Sequence, residues 1–286
     1  MRPIDHLVLP VADLATARRR LTALGFQVAP EARHPFGTGN ARVFFNNRTY
    51  LEPIATLHRE AFHKGLAEGL VFLRRIERAQ KRSAESFAML ALKSDDAAAD
   101  LARYRQAGFA DGDLFSFTGR AQDDDGKEHD YGIRLAFAGD KRAPEAGIFA
   151  CEPVGLTLND GAHYADHPNG AAGVVTVALV ARNPADFHIF LSAATGQREL
   201  RATSFLVEID LGGQKLLAMT PQGFTARYGL AAPDPGDGLV FAGLEVAVDD
   251  IAAAKTYAAK ARLHEGRLVV PPAPGLGTVL AFVEAA

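Results

Sequence analysis

His6, Glu52 and Glu152 are residue types that hold metal ions or move protons, and they fall at matched places in a duplicated stretch of this 286-residue chain. Laying DLATARRRLTALGF, from Asp13, over DAAADLARYRQAGF, from Asp96, brings Gly25-Phe26 onto Gly108-Phe109 at a constant offset of 83 residues. Seven residues upstream of each Asp, His6 of IDHLVLPV is matched by Met89 of FAMLALKS. One copy carries an imidazole there and the other a thioether. Further on, TYLEPI and IFACEPV place Glu52-Pro53 against Glu152-Pro153, once a longer loop in the second copy is allowed.

The elements that must position these residues follow from periodicity and punctuation. In the first copy, Leu14, Ala17, Leu21 and Leu24 form an apolar stripe at helical spacing, with Asp13 as N-cap and Gly25 as stop. Strands are expected at IDHLVLPV, QVAPEARH, ARVFFNN and TYLEPIA, so the order is βαβββ. The second copy repeats it from Phe87 to about Val154, around an acidic loop, DDDGKEHDYG, that reads as solvated. Between the copies, residues 58 to 82 predict a helical segment with Phe62, Leu66, Leu70 and Leu73 on one face.

Two fainter copies follow. VVTVALVA leads into a helix from Pro184 to about Thr195 and then to FLVEIDL and QKLLAMT, while GLEVAVDDIAAAKTYAAKA restates the opening and GTVLAFVEA closes it. The reading is an α+β fold of four tandem βαβββ modules in two domains, 1–165 and 166–286. The boundary is set near ADHPNGAAG, where Pro168 and Gly170 fix a turn and Asn169 caps it. The second half lacks an equivalent set of ligands, with Val177, Gly243 and Ala281 where they would be sought, and is read as a structural or dimerisation domain.

Bulk properties exclude several classes. Hydrophobic residues make up 48%, charged residues 23%, and the net charge is −3, which argues against a general nucleic-acid binder. The single cysteine, Cys151, cannot form an internal disulfide, and no basic start followed by an apolar run predicts export, so a cytoplasmic location is expected. The longest apolar runs, such as GVVTVALVA from Gly173, fall far short of the roughly 20 residues of a bilayer span, so no membrane partner is expected. GTGNAR lacks the strand-to-helix context of a dinucleotide loop, and there is no P-loop or nucleophile elbow.

IDHLVLPVADL, RHPFGTGNARVFF from Arg33, TYLEPIA and HPNGA at 167 to 171 together resemble the vicinal oxygen chelate superfamily, and more narrowly its glyoxalase-like members. That resemblance implies that paired modules form cupped mixed sheets, with a divalent metal on the floor of the cup held from the first and last strands of each module. It implies His6, Glu52 and Glu152 as metal ligands, the fourth position being Met89, a soft donor poorly suited to hard ions. The metal would be Zn, Mn, Fe, Co or Ni, acting on a small molecule with neighbouring oxygens by lyase or isomerase chemistry, with Glu52 or Glu152 moving the proton.

Fe(II) would give a dioxygenase instead, although that chemistry ordinarily uses two His and one carboxylate, a count that needs His129 as well. A third reading is a binding or sequestering protein, supported by Met89 and the phenylalanine-rich ARVFFNN. His34, Asn40 and Arg42, in the turn-rich stretch that borders the cup in the resembling family, are the candidate substrate-binding residues, Asn and Arg offering donors to a carboxylate or carbonyl. A homodimer is compatible with a cupped sheet, but no surface strip specifies one.

Overall fold

The computed structural model describes residues 1–122, 128–155 and 161–285, with side chains outside 119–131. Each Asp-to-Gly segment of the repeat is helical. Asp13 accepts from the Thr16 N–H at 2.7 Å and Asp96 from Ala99 at 2.9 Å, while Gly25 and Gly108 adopt positive φ of 83° and 76° where the chain leaves each helix.

The first module is β1 (Ile4–Pro10), α1 (Leu14–Ala23), β2 (Glu31–Arg33), β3 (Thr38–Ala41), β4 (Val43–Phe44) and β5 (Tyr50–Thr56). The intervening segment is two helices rather than one, α2 (Arg59–Ala67) and α3 (Val71–Arg82), because Gly69 turns between them at φ 79°. The second module is β6 (Met89–Lys93), α4 (Ala97–Gln106), β7 (Phe115–Gln122), β8 (Glu128–Ala138) and β9 (Gly147–Gly155). The third is β10 (Ala171–Ala181), α5 (His188–Thr195), β11 (Arg201–Ala202), β12 (Leu206–Asp210) and β13 (Lys215–Met219), followed by α6 (Pro221–Tyr228). The fourth is β14 (Leu239–Val248), α7 (Ile251–Tyr257), β15 (Arg262–His264), β16 (Arg267–Val270) and β17 (Val279–Glu284).

Two mixed sheets result, ordered β2-β3-β5-β1-β6-β9-β8-β7 with β4 beside β5, and β11-β12-β13-β10-β14-β17-β16-β15. In each, the first strands of two modules meet antiparallel at the centre and the last strands lie parallel beside them. The central pairing of the first sheet reproduces the repeat. His6 faces Ala91, Leu7 faces Leu90 and Val8 faces Met89, so the 83-residue offset is a local two-fold about Leu7 and Leu90.

Strand alternation divides the buried residues between two environments. Leu7, Leu9, Leu51, Leu90 and Ile148 of the first sheet share one continuous apolar core with Val177, Leu179, Leu244, Val246 and Leu280 of the second, and with buried positions of α1, α4, α5 and α7. The opposite faces form the cups. α2 and α3 cover the first with Phe62, Phe72, Leu73 and Ile76. α6 covers the second with Phe224 and Tyr228.

The second cup is plugged by charge as well as by carbon. Glu245, 3% exposed, accepts from Arg227 at 2.7 and 2.9 Å and from Arg267 at 2.9 Å. Burial acts to raise its pKa, but the two guanidiniums hold it below the ordinary range. Val177 does not face this cup. β10 is irregular between Val174 and Thr176, and Val177 lies in the shared core, with Thr176 opposite Glu245.

HPNG at the junction is structural. Asn169, fully buried, donates to the Leu24 carbonyl at 2.7 Å and accepts from the Ala171 N–H at 3.0 Å. His167 accepts from the Gln27 N–H through Nδ1 at 3.0 Å and lies 2.8 Å from the Phe44 carbonyl through Nε2, which fixes the tautomer. Replacing Asn169 by Ala strands two buried backbone groups, so stability should fall by about 2 kcal/mol in urea denaturation. A loss under about 0.5 kcal/mol would mean that water replaces the amide.

Candidate functional site

The first cup contains a cavity of about 90 Å³ that His6, His34, Asn40, Arg42, Tyr50 and Glu52 all line. Its remaining wall is apolar, from Phe36, Phe72, Phe117, Ile133, Leu135 and Phe149, with Cys151 beside them.

Each polar group arrives by strand parity. On β5, Tyr50, Glu52 and Ile54 point into the cup while Leu51 points to the shared core. On β1, His6 and Val8 share the cup side, but Ile4 does not, because the register shifts between Ile4 and His6. That irregularity lets neighbouring residues act together, Asp5 Oδ2 lying 2.6 Å from His6 Nδ1. The contact leaves His6 Nε2 facing Glu52 Oε2 at 3.7 Å. Tyr50 stacks on the His6 ring at 4.3 Å and 14°, which fixes its plane.

His34 comes from the turn joining β2 and β3, where Gly37 at φ 90° reverses the chain. Its Nδ1 lies 2.8 Å from Thr38 Oγ1, its ring stacks on Phe36 at 5.0 Å, and its Nε2 is 3.7 Å from Glu52 Oε1. Asn40 donates from Nδ2 to the same Oε1 at 2.6 Å, leaving its own Oδ1 buried without a partner. The Arg42 guanidinium lies over the Phe44 ring at 4.8 Å. Glu52, 4% exposed, is therefore a buried carboxylate with one neutral donor and an imidazole on either side.

Burial dominates the ionisation of the pocket. It lowers the His34 pKa below the usual imidazole value, partly opposed by Glu52, and pushes the Tyr50 phenol and the Cys151 thiol well above theirs. The neutral thiol agrees with the sequence reading of Cys151 as no activated nucleophile. Its sulfur is still a donor, and ligand atoms of Asp5, His6 and Cys151 lie within 4.8 Å of one another.

Glu152 stands elsewhere. On β9, Phe149 and Cys151 face the cup, and Glu152 faces away, where it accepts from the Ala97 N–H at the start of α4 at 2.9 Å and meets Arg134 at 3.4 Å. Matching the two Glu-Pro steps is therefore a correction to make. Glu52 pairs with Val8, and Phe149 pairs with Ala91, the repeat partner of Val8. The true counterpart of Glu52 is Phe149, three residues before Glu152, and an odd displacement reverses the face. Met89 is on the cup side but fully buried in the core and outside the cavity lining. The side chain of His129 lies outside the described residues.

A family model described as a glyoxalase-like domain matches residues 4–195, about two thirds of the sequence. The chain belongs to the glyoxalase-like family. Membership places it in the vicinal oxygen chelate superfamily, as its first residues suggested. A hypothetical protein from Staphylococcus aureus has a similar structure over 100% of both chains, at 11% identity and a TM-score of 0.69. A mutant of 4-hydroxymandelate synthase from Streptomyces coelicolor is similar over 98% of this chain and 91% of its own, at 14% identity and TM-score 0.58. A fusion of a xylose isomerase-like TIM barrel with 4-hydroxyphenylpyruvate dioxygenase matches all of this chain and 50% of its own, at 14% identity and TM-score 0.54. At these identities the similarity establishes the fold. No curated protein matches the sequence significantly.

Two outcomes separate the acids and the base. Glu152→Ala should cost about 1 kcal/mol through the lost bond at the α4 N-terminus and leave ligand binding in the cup unchanged, as read by denaturation and titration; altered cup binding would contradict the register. His34, with its pKa lowered in the folded state, takes up its proton only below the pH at which the unfolded chain does. Its stabilising contribution is complete above about pH 6.5 and lost as pH falls further. Replacing His34 with Gln should flatten the decline in stability between about pH 7 and 5, and an NMR titration of His34 at or above 6.5 would contradict the burial argument.

Proposed function

We propose that the first cup is the site of a metal-dependent enzyme acting on a small molecule with two adjacent oxygens. The observation that carries the reading is Glu52, a buried carboxylate between His6 and His34, with Asp5 behind His6. Glu52 is buried and Asp5 half-buried among imidazole, amide and thiol groups, with Arg42 lining the same cavity, and a metal ion would offset the carboxylate charge in excess of that one guanidinium. His6, His34 and Glu52 would suit Zn, Mn, Fe, Co or Ni once drawn together around an ion, since among the described residues only Asp5, His6 and Cys151 have ligand atoms within 4.8 Å of one another, and Asp5 would supply the outer carboxylate that orients a ligating imidazole. When bound, such an ion would supply Lewis-acid polarisation of a substrate carbonyl.

The remaining roles fall to the protein itself. Asp5 holds the His6 Nδ1 proton, so that Nε2 presents its lone pair to the cup. Glu52 is placed to carry a substrate proton, a role Glu152 is too far round the sheet to share. Asn40 Oδ1 and Arg42 would meet the substrate's polar end. The phenylalanine wall excludes water. A space of about 90 Å³ is below the roughly 150 Å³ that accepts a benzene ring, so this conformation admits the oxygen-bearing end of a substrate and little more.

A lyase or isomerase outcome is our leading reading. The alternative of Fe(II)-dependent oxygen chemistry uses two imidazoles and one carboxylate, a donor count that His6, His34 and Glu52 would supply, with His34 in place of the His129 considered from sequence. Elemental analysis of protein purified without chelator or nickel resin should find near-stoichiometric divalent metal, reduced at least tenfold in His6→Ala. Oxygen uptake dependent on Fe(II) would select the dioxygenase reading. Absence of metal in both proteins after reconstitution would overturn the enzyme reading in favour of a sequestering protein with an aromatic-walled cup.

A further inference from the structure

A second and larger cavity, of about 490 Å³, lies where the two halves meet. One wall is the segment from Arg82 to Phe87 that carries the chain from α3 to β6, and the other comes from the second half, through Leu230 to Pro233, the start of β14, and Gly277 to Val279. This volume falls within the range of small-molecule sites, which favour domain junctions.

Three features distinguish it from a crevice left by imperfect packing. Its apolar side is built of ordered groups: Phe87 and Phe241 stack at 4.3 Å and 16°, and Leu230, Ala232, Ala242 and Val279 belong to the core of the second cup. Its lining residues include Ser86 and Thr278, whose hydroxyls are buried and have no hydrogen-bond partner among the described residues, Thr278 being only 4% exposed. The first cup bears the same mark in Asn40 Oδ1. Buried polar atoms are nearly always satisfied in folded proteins, so two of them on one cavity point to a partner supplied from outside the chain.

The third feature is charge. Arg82 has no carboxylate within 4.0 Å among the described residues, its one bond being a 3.5 Å contact to the Asp234 carbonyl. Of the two acids nearby, Asp234 accepts from the Gly236 N–H at 2.9 Å, and Glu85 is likewise committed. Its carboxylate accepts from the Gly275 N–H at 2.6 Å and the Ala12 N–H at 3.5 Å, clamping the loop before β17 to the first half. The clamp is tight enough that a Cβ on Gly277 would lie 2.4 Å from the Glu85 backbone. The cleft is thus held open and preformed.

We propose that this junction cleft is a binding site for a small amphipathic anion. The apolar body packs between the Phe87-Phe241 stack and Val279, its polar atoms meet the Ser86 and Thr278 hydroxyls, and its acid group pairs with Arg82. The site is separate from the first cup and does not depend on any metal there.

Isothermal titration of the full chain with octanoate, and with octanol as its uncharged counterpart, tests the assignment. Octanoate should bind saturably, and octanol at least tenfold more weakly. Ala232→Trp, which fills the cleft, should weaken octanoate at least tenfold, Arg82→Gln about tenfold, and Thr278→Val several-fold. Arg82→Gln removes an exposed side chain and keeps the test valid should the tryptophan variant fail to fold. No saturable octanoate binding, or unchanged affinity in Arg82→Gln and the cleft variants, would overturn the proposal, the latter by assigning the binding to the first cup or to non-specific adsorption.

Discussion

The antiparallel pairing of β1 with β6 is the constraint on which the rest of the molecule depends. It fixes the local two-fold at Leu7 and Leu90, and with it which side chain of every neighbouring strand looks into the cup. Because side chains alternate strictly along a strand, one register decision settles the floor of the pocket, the shared core behind it and the roles left to each acid. The irregularity beside Asp5 breaks that alternation within β1, and it gives His6 a carboxylate from its immediate neighbour.

The fold was legible in the sequence because its signals are local and repeated. Asp caps, glycine stops and an apolar stripe recur at a fixed spacing, and those interactions form within a few residues of one another. His6, Glu52, His34, Asn40 and Arg42 line one cavity, the first two singled out from the repeat and the other three from the resemblance of the turn-rich stretch before β5 to a known family. Glu152 was misread because the loop between β8 and its surroundings changes length between the copies, and a matching Glu-Pro pair offered a false anchor three residues out of register. Only pairing to β6 exposes the error. Cys151, with Phe149 two residues before it, carried the right parity signal, and Asp5 needed knowledge of a bulge that no periodicity announces.

The two cups answer the problem of a buried carboxylate in opposite ways. Glu245 is neutralised from within by Arg227 and Arg267, and removing both would leave its charge without compensation in the interior. Glu52 is met at hydrogen-bond distance by the Asn40 amide and flanked by imidazoles, with Arg42 elsewhere in the same cavity lining. Glu245 has become part of the architecture, and the resemblance between halves therefore stops at the backbone: the same cupped frame carries one self-contained ion pair cluster and one cavity whose charge is met by groups that can accept a ligand.

The continuous core behind the sheets couples the packing of the second half to the cavity of the first. Leu244 and Val246 lie in the same packed interior as Leu7 and Leu9, the residues that alternate with His6 along its strand. Close-packed interiors transmit displacement rather than absorb it. A change of volume in the second half is thus felt at the back of the strand that carries His6, so the shape of the cavity depends on side chains that never approach it.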